Sequence, residues 1–190
     1  TKSTRGIIFI NHSISSIKQT NGEFDEAITI TKETLKAIEK FEKDGDLKTK
    51  FIGAQHNSLA GIYIEKGNYN LALSEALKAL KYFEEINHKS RKADVLKQIG
   101  DIETALGNYG SSISYFQEAI DLYKELDDKM YLAYANNSLG ISYQELKRYD
   151  DAKTQYNLGL ENSRAVENKL STSNALHNLG ELELLKKNYK

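Results

Sequence analysis

The sequence predicts an all-α fold made of stacked antiparallel helix pairs, and three observations carry that prediction. The 190 residues include no proline and only 12 glycines, so little interrupts a helix. One turn motif recurs at a spacing of 40 residues. Between the turns, apolar or small residues recur at three and four, the period of one helix face.

The elements follow in order. The first repeat, residues 5–45, turns at Gly22-Glu23-Phe24 and is degenerate, with Asn11, Ile14, Ser15 and Lys18 where an apolar stripe is expected. The second, 50–88, turns at Gly67-Asn68-Tyr69, and its faces read Leu59-Ala60-Tyr63 and Ala72-Ala76-Ala79-Leu80. The third, 90–128, turns at Gly107-Asn108-Tyr109. The fourth, 130–168, turns at Lys147-Arg148-Tyr149, with faces Leu139-Gly140-Tyr143 and Ala152-Tyr156-Gly159-Leu160. The fifth, 170–190, is incomplete: it reaches Lys187-Asn188-Tyr189 and has no second helix.

Nine residues before each turn aromatic stands Ser15, Ala60, Gly100, Gly140 or Gly180, and three residues after it Ala27, Ala72, Ser112 or Ala152. Small residues facing each other across a helix pair let the backbones approach, and the aromatic fills the wedge at the turn. Between repeats, Ile86-Asn87-His88-Lys89, Leu126-Asp127-Asp128-Lys129 and Val166-Glu167-Asn168-Lys169 read as polar helix ends with a lysine near the C-terminal carbonyls. Glu103 and Glu183, at the position of Tyr63 and Tyr143, are expected at the solvent edge, with Ile102 and Leu182 seated instead.

Composition narrows function. With 26 basic and 27 acidic residues the net charge is -1, which lacks the basic footprint of a nucleic-acid or anionic-membrane surface. The most apolar run, Gly6-Ile7-Ile8-Phe9-Ile10, is far short of a membrane span. No cysteine means no disulfide, no zinc knuckle and no thiol nucleophile, which fits the cytoplasm and leaves the periplasm open.

No catalytic, metal or cofactor site is expected. His12, His56, His88 and His177 lack metal-ligand spacing, and Gly107-Asn108-Tyr109-Gly110 follows a helix where a phosphate cradle needs a strand. Asp127-Asp128 and Asp150-Asp151 read as a helix end and a helix start, where solvated charge and capping account for them. The sequons at Asn11 and Asn136 fall within helices and read as accidental.

Leu139-Gly140, Tyr143, Tyr149, Ala152, Tyr156 and Leu160, and in the second repeat Leu59, Tyr63, Gly67, Tyr69, Ala72, Ala79 and Leu80, resemble the tetratricopeptide repeat over essentially the whole chain. That family's usual unit is shorter and ends in proline. This chain is similar to the longer variety of the kinesin light chain, spindle-orientation adaptors, Rap-type peptide receptors and the sensory halves of some bacterial histidine kinases. The resemblance implies a right-handed superhelix, an α-solenoid of about four and a half repeats forming a single domain over 1–190. It implies a non-enzymatic module that binds a partner peptide or helix in a concave groove lined by the first helices. Carried over residue by residue, the groove positions are His12, Asn57, Lys97, Asn137 and His177, with Phe9, Asp101, Tyr134, Gln144 and Asn174 beside them. An asparagine both donates and accepts, so an Asn ladder suits an extended backbone. Asp94 and Asp101 beside Lys97 argue against a clamp for a chaperone's terminal carboxylate.

The leading expectation is the sensory or scaffolding part of a larger signalling protein. The alternative is a peptide-pheromone receptor that regulates an attached output domain, a kinase or transcription factor. The chain is expected to be a fragment, with Leu176, Leu179 and Leu182 forming an apolar face that packs on another copy or on further chain.

Overall fold

A computed structural model of the chain describes residues 2–40 and 45–188, so the predicted turn aromatic Tyr189 lies outside the described residues. Their regular structure is helical: α1 (Lys2–Thr20), α2 (Phe24–Glu39), α3 (Asp46–Glu65), α4 (Tyr69–Glu85), α5 (Lys89–Ala105), α6 (Tyr109–Glu125), α7 (Lys129–Glu145), α8 (Tyr149–Ala165) and α9 (Lys169–Asn188). The chain divides into two compact units, Thr1–Val95 and Leu96–Lys190, with the division inside α5. In the first unit α1 packs on α2, α2 on α3 and α3 on α4; in the second α7 packs on α6, α8 and α9, and α8 on α9.

Two kinds of turn make this layout. Within a pair, Gly22, Gly67 and Gly107 take φ of 78°, 76° and 80°, a left-handed conformation open to glycine, while Lys147 adopts it at 59°. Asn68 N–H then bonds back to the Tyr63 carbonyl at 2.8 Å and Gly67 N–H to that of Ile64 at 2.9 Å. Between pairs, Asn87, Asp127 and Glu167 take φ of 50°, 50° and 54° and close the preceding helix the same way. The lysines expected at those helix ends instead open the next helices: Lys89, Lys129 and Lys169 are the first residues of α5, α7 and α9. Their caps are Asp128, accepting from Tyr131 N–H at 3.1 Å, and Asn168, accepting from Ser171 N–H at 3.0 Å.

The small residues lie where the helices meet. Ala27, Ala72, Ser112 and Ala152 are fully buried, as are Ala60 and the positions of Gly100 and Gly140. Sixteen residues beyond the small position stand Thr31, Ala76, Phe116 and Tyr156, all buried. A Cβ on Gly140 would lie 2.4 Å from the Tyr156 ring, and one on Gly100 2.6 Å from the Phe116 ring. Each ring therefore occupies the space its glycine leaves. Gly180 is exposed, and a Cβ there would meet no other part of the protein within 4 Å.

Ile102 and Leu182 are seated as expected, and Glu183 is exposed. Glu103 departs from expectation. It is buried, because Asn108 Nδ2 donates to its carboxylate at 2.7 Å and so meets the hydrogen-bonding need that would otherwise hold it in water. Of the apolar face expected on the last helix, Leu176 is exposed, Leu179 half-buried and Leu182 fully buried.

Candidate partner-binding surface

The sequence places its candidate residues on the first helix of each pair, and the structure distributes them over α1 and α3 in the first unit and α5, α7 and α9 in the second. In the first unit Phe9 is 62% exposed, its ring edge-on to Phe51 of α3 at 6.2 Å, and His12 is exposed. Gln19 donates to Glu65 at 2.8 Å and ties the ends of α1 and α3. Asn57 is half-buried, its side-chain oxygen sealed from solvent without a partner among the described residues.

Beside it stands a cluster that the sequence reading missed. His56 Nδ1 lies 2.6 Å from Glu75 Oε2, its ring stacks on Tyr82 at 5.6 Å, and Lys78 donates to the same carboxylate at 2.7 Å. Burial alone would raise the Glu75 pKa, but Lys78 and His56 together hold it below its ordinary value. The cluster joins α3 to α4, so His56 is turned toward its own pair's second helix.

The second unit brings several candidates into a more ordered arrangement. Lys97 is paired with Asp101 at 2.6 Å, one turn along α5. The hydroxyl of Tyr134 accepts from Asn168 Nδ2 at 2.8 Å, and its ring meets that of Tyr131 edge-on at 6.4 Å. Gln144 Oε1 accepts from the Tyr156 hydroxyl at 3.0 Å. Tyr156 lies beneath Gly140, and burial raises its pKa, so it stays a neutral donor. Ile141, 38% exposed, lies between Tyr134 and Gln144 on α7. On α9, Asn174 and His177 are exposed, with His177 3.5 Å from Glu181.

Asn137 lies elsewhere. It is buried, and its Oδ1 and Cγ sit 3.0 and 3.1 Å from where a Cβ of Gly159 would be, so the side chain fills the gap that glycine leaves in α8. Its oxygen has no partner among the described residues. The roles of Asn168 and Tyr156 were not assigned from sequence. Asn168 had a visible signal, since it occupies the register of the capping Asp128 forty residues earlier.

Among the described residues no group of three His, Cys, Asp or Glu could hold a metal ion, and no helix is long and apolar enough to cross a membrane. What the surface offers is fixed hydrogen-bonding groups around an apolar side chain, which suits binding.

A profile described as tetratricopeptide repeat matches residues 51–125 and 131–190. The chain belongs to the tetratricopeptide repeat family. No curated protein matches it. Among solved structures it is similar to aspartyl phosphate phosphatase F from Bacillus subtilis, with 16% identity, 90% of this chain and 44% of that one covered, and a TM-score of 0.83. It is also similar to a putative kinesin light chain from Podosopora anserina with nearly identical TPR-like repeats, with 12% identity, 97% and 88% coverage and a TM-score of 0.78. A third is a Rap protein complexed with Competence and Sporulation Factor, with 15% identity, 96% and 50% coverage and a TM-score of 0.76. These likenesses show the fold, an all-α tetratricopeptide repeat of antiparallel helix pairs. The chain spans half or less of the phosphatase F and Rap chains. As a tetratricopeptide repeat protein it is a protein-interaction module.

Proposed function

We propose that this tetratricopeptide repeat chain captures a partner peptide or helix on its first-helix faces, as the sensory or scaffolding part of a larger cytoplasmic signalling protein, and that it acts by binding without catalysis. The observation that carries this reading is the pre-positioning of Tyr134 by Asn168 and of Gln144 by Tyr156 on either side of exposed Ile141. Groups already held by their scaffold lose little freedom when a partner arrives. Lys97 and Asp101 add a mixed-charge spot, and Asn174 and His177 an exposed polar one, in keeping with an internal peptide. The buried oxygens of Asn57 and Asn137 make these two residues supports for the surface, so the contacts are assigned to their neighbours.

A second reading, a peptide-pheromone receptor that controls an attached kinase or transcription factor, draws support from the likeness to the Rap protein complexed with Competence and Sporulation Factor. It requires saturable binding of a short peptide and a change in compactness by scattering.

The test is partner capture from the source organism by the chain and by a variant carrying Tyr134→Ala and Gln144→Ala. Capture falls at least about five-fold in the variant, the equivalent of one lost interfacial hydrogen bond. The control Asn157→Ala, an exposed residue of α8, leaves capture unchanged. Equal capture by the double variant and the unaltered chain refutes the assignment.

A further inference from the structure

The second unit carries a trough on the other side of α7 that the first-helix reading leaves unused. It lies between α6 and α8 with α7 as its floor, and its volume is about 570 Å³. On α7 it is lined by Leu132, Asn136 and Leu139, whereas Tyr134, Ile141 and Gln144 belong to the face described above. Successive residues of a helix are set about 100° apart, so residues 132 and 134 point to opposite sides. Leu158, 40% exposed, adds an aliphatic group on the α8 bank.

The polar lining is biased toward acceptors. Asn136, only 3% exposed, donates its side-chain N–H to the Leu132 carbonyl of its own helix at 2.8 Å, and its carbonyl oxygen accepts from no group among the described residues. Gln117 on the α6 bank donates to the Tyr143 hydroxyl at 3.3 Å, and Asn162 on the α8 bank to the Leu158 carbonyl at 2.9 Å. In these three the amide nitrogen is engaged by the scaffold and the carbonyl oxygen is left for a ligand, while the fourth lining amide, Gln155, offers both its groups. Of the charged residues, Lys124 is already paired with Asp121 at 3.2 Å, while Glu161 has no cation within ion-pair distance among the described residues. The trough therefore presents carbonyl oxygens, one unneutralised carboxylate and an aliphatic floor.

We propose that this trough is a second docking site, separate from the first-helix face, for a polypeptide segment of a partner in which an arginine stands beside an aliphatic residue. A guanidinium has five N–H donors and no acceptor, which complements a site of carbonyls and a carboxylate. The aliphatic neighbour meets Leu132, Leu139 and Leu158, and the open trough between two helices accepts a chain that continues at both ends. A segment with an acidic side chain there would set like charge against Glu161 and leave the carbonyls without donors.

A phage-displayed library of random dodecamers, selected against the chain, tests this. The selection enriches peptides with arginine next to an aliphatic residue. Synthetic copies bind a Glu161→Lys variant at least about ten-fold more weakly, because charge reversal sets cation against cation. Glu161 is exposed and its side chain makes no bond among the described residues, so this variant keeps the circular dichroism and melting temperature of the unaltered chain. The same peptides bind the Gln144→Ala variant as tightly as the unaltered chain. The absence of enriched peptides, enrichment without arginine, or equal binding to Glu161→Lys overturns the proposal. Loss on Gln144→Ala with none on Glu161→Lys places the peptides on the first-helix face, which overturns the trough and leaves the proposed function standing.

Discussion

The two units close their helix pairs by different chemistry at equivalent positions. In the first unit the facing residues are Ser15 with Thr31, whose hydroxyls lie 2.8 Å apart, and Ala60 with Ala76, both fully buried. In the second they are Gly100 with Phe116 and Gly140 with Tyr156, a missing side chain filled by a ring. The first unit does pair a glycine with a ring, but nearer the other end of its pair, where a Cβ on Gly53 would lie 3.1 Å from Phe83. The summed size across the pair matters more than which helix supplies it. The choice also affects the surface, since a tyrosine reaching past Gly140 carries its hydroxyl to Gln144, whereas a Ser–Thr or Ala–Ala pair has nothing that long.

The largest effect expected from breaking this difference is Tyr156→Ala, which empties the ring's space and destabilises by about 3–5 kcal/mol in chemical denaturation. Gly140→Ala sets a methyl against the ring and destabilises by roughly 1–3 kcal/mol. Combined, the two changes destabilise by less than their sum, because the methyl then occupies vacated space; strict additivity would show that glycine and ring are not complementary. In the first unit, Ser15→Ala removes one hydroxyl donor, whose single proton is shared between the Ala27 carbonyl and the Thr31 hydroxyl, while Thr31 keeps its own bond to that carbonyl, and the loss is only about 1 kcal/mol. A loss as large as that of Tyr156→Ala would erase the contrast.

The smallest effect concerns the linkers. His88 occupies the capping register that Asp128 and Asn168 occupy in the second unit, and its Nδ1 lies 3.5 Å from Arg91 N–H. Burial first, and then Lys50, lower its pKa from the ordinary 6.5, with Arg91 and Asp94 also in its surroundings. The fold therefore favours the neutral ring. Its contribution to stability is complete above pH 6.5 and declines as pH falls through that value. Comparing melting temperatures at neutral pH and near pH 5.5, the decline is shallower in His88→Asn than in the unaltered chain. An identical decline would show that His88 has no part in it.

The period, the pair turns and the small residues at the helix contacts were legible in the sequence, because each rests on a residue type that the geometry requires at one spacing. The ends of the second helices were legible in place, but the way they close and the role of their lysines were not. Asn87, Asp127 and Glu167 take the left-handed conformation without being glycine, and in so short a linker a lysine reads equally as the end of one helix or the start of the next. The candidate site was half legible. Register alone proposes Tyr134, Gln144, Lys97 and Asp101 as candidates, but the partners that orient two of them, Asn168 and Tyr156, lie on other elements. Asn137 shows why the asparagine ladder could not be read from spacing alone: Gly159 opens a gap opposite, and the side chain turns into it. Glu103 likewise needed Asn108, which only the turn brings within reach.

The central claim is that the first-helix faces form the working surface of this tetratricopeptide repeat chain. The most direct measurement is amide chemical-shift mapping of the isotopically labelled chain titrated with the partner segment recovered by capture. The account predicts saturable shifts at Tyr134, Ile141, Gln144 and the exposed α9 residues Asn174 and His177. Shifts confined to the second helices, with these residues unmoved at saturation, would contradict it.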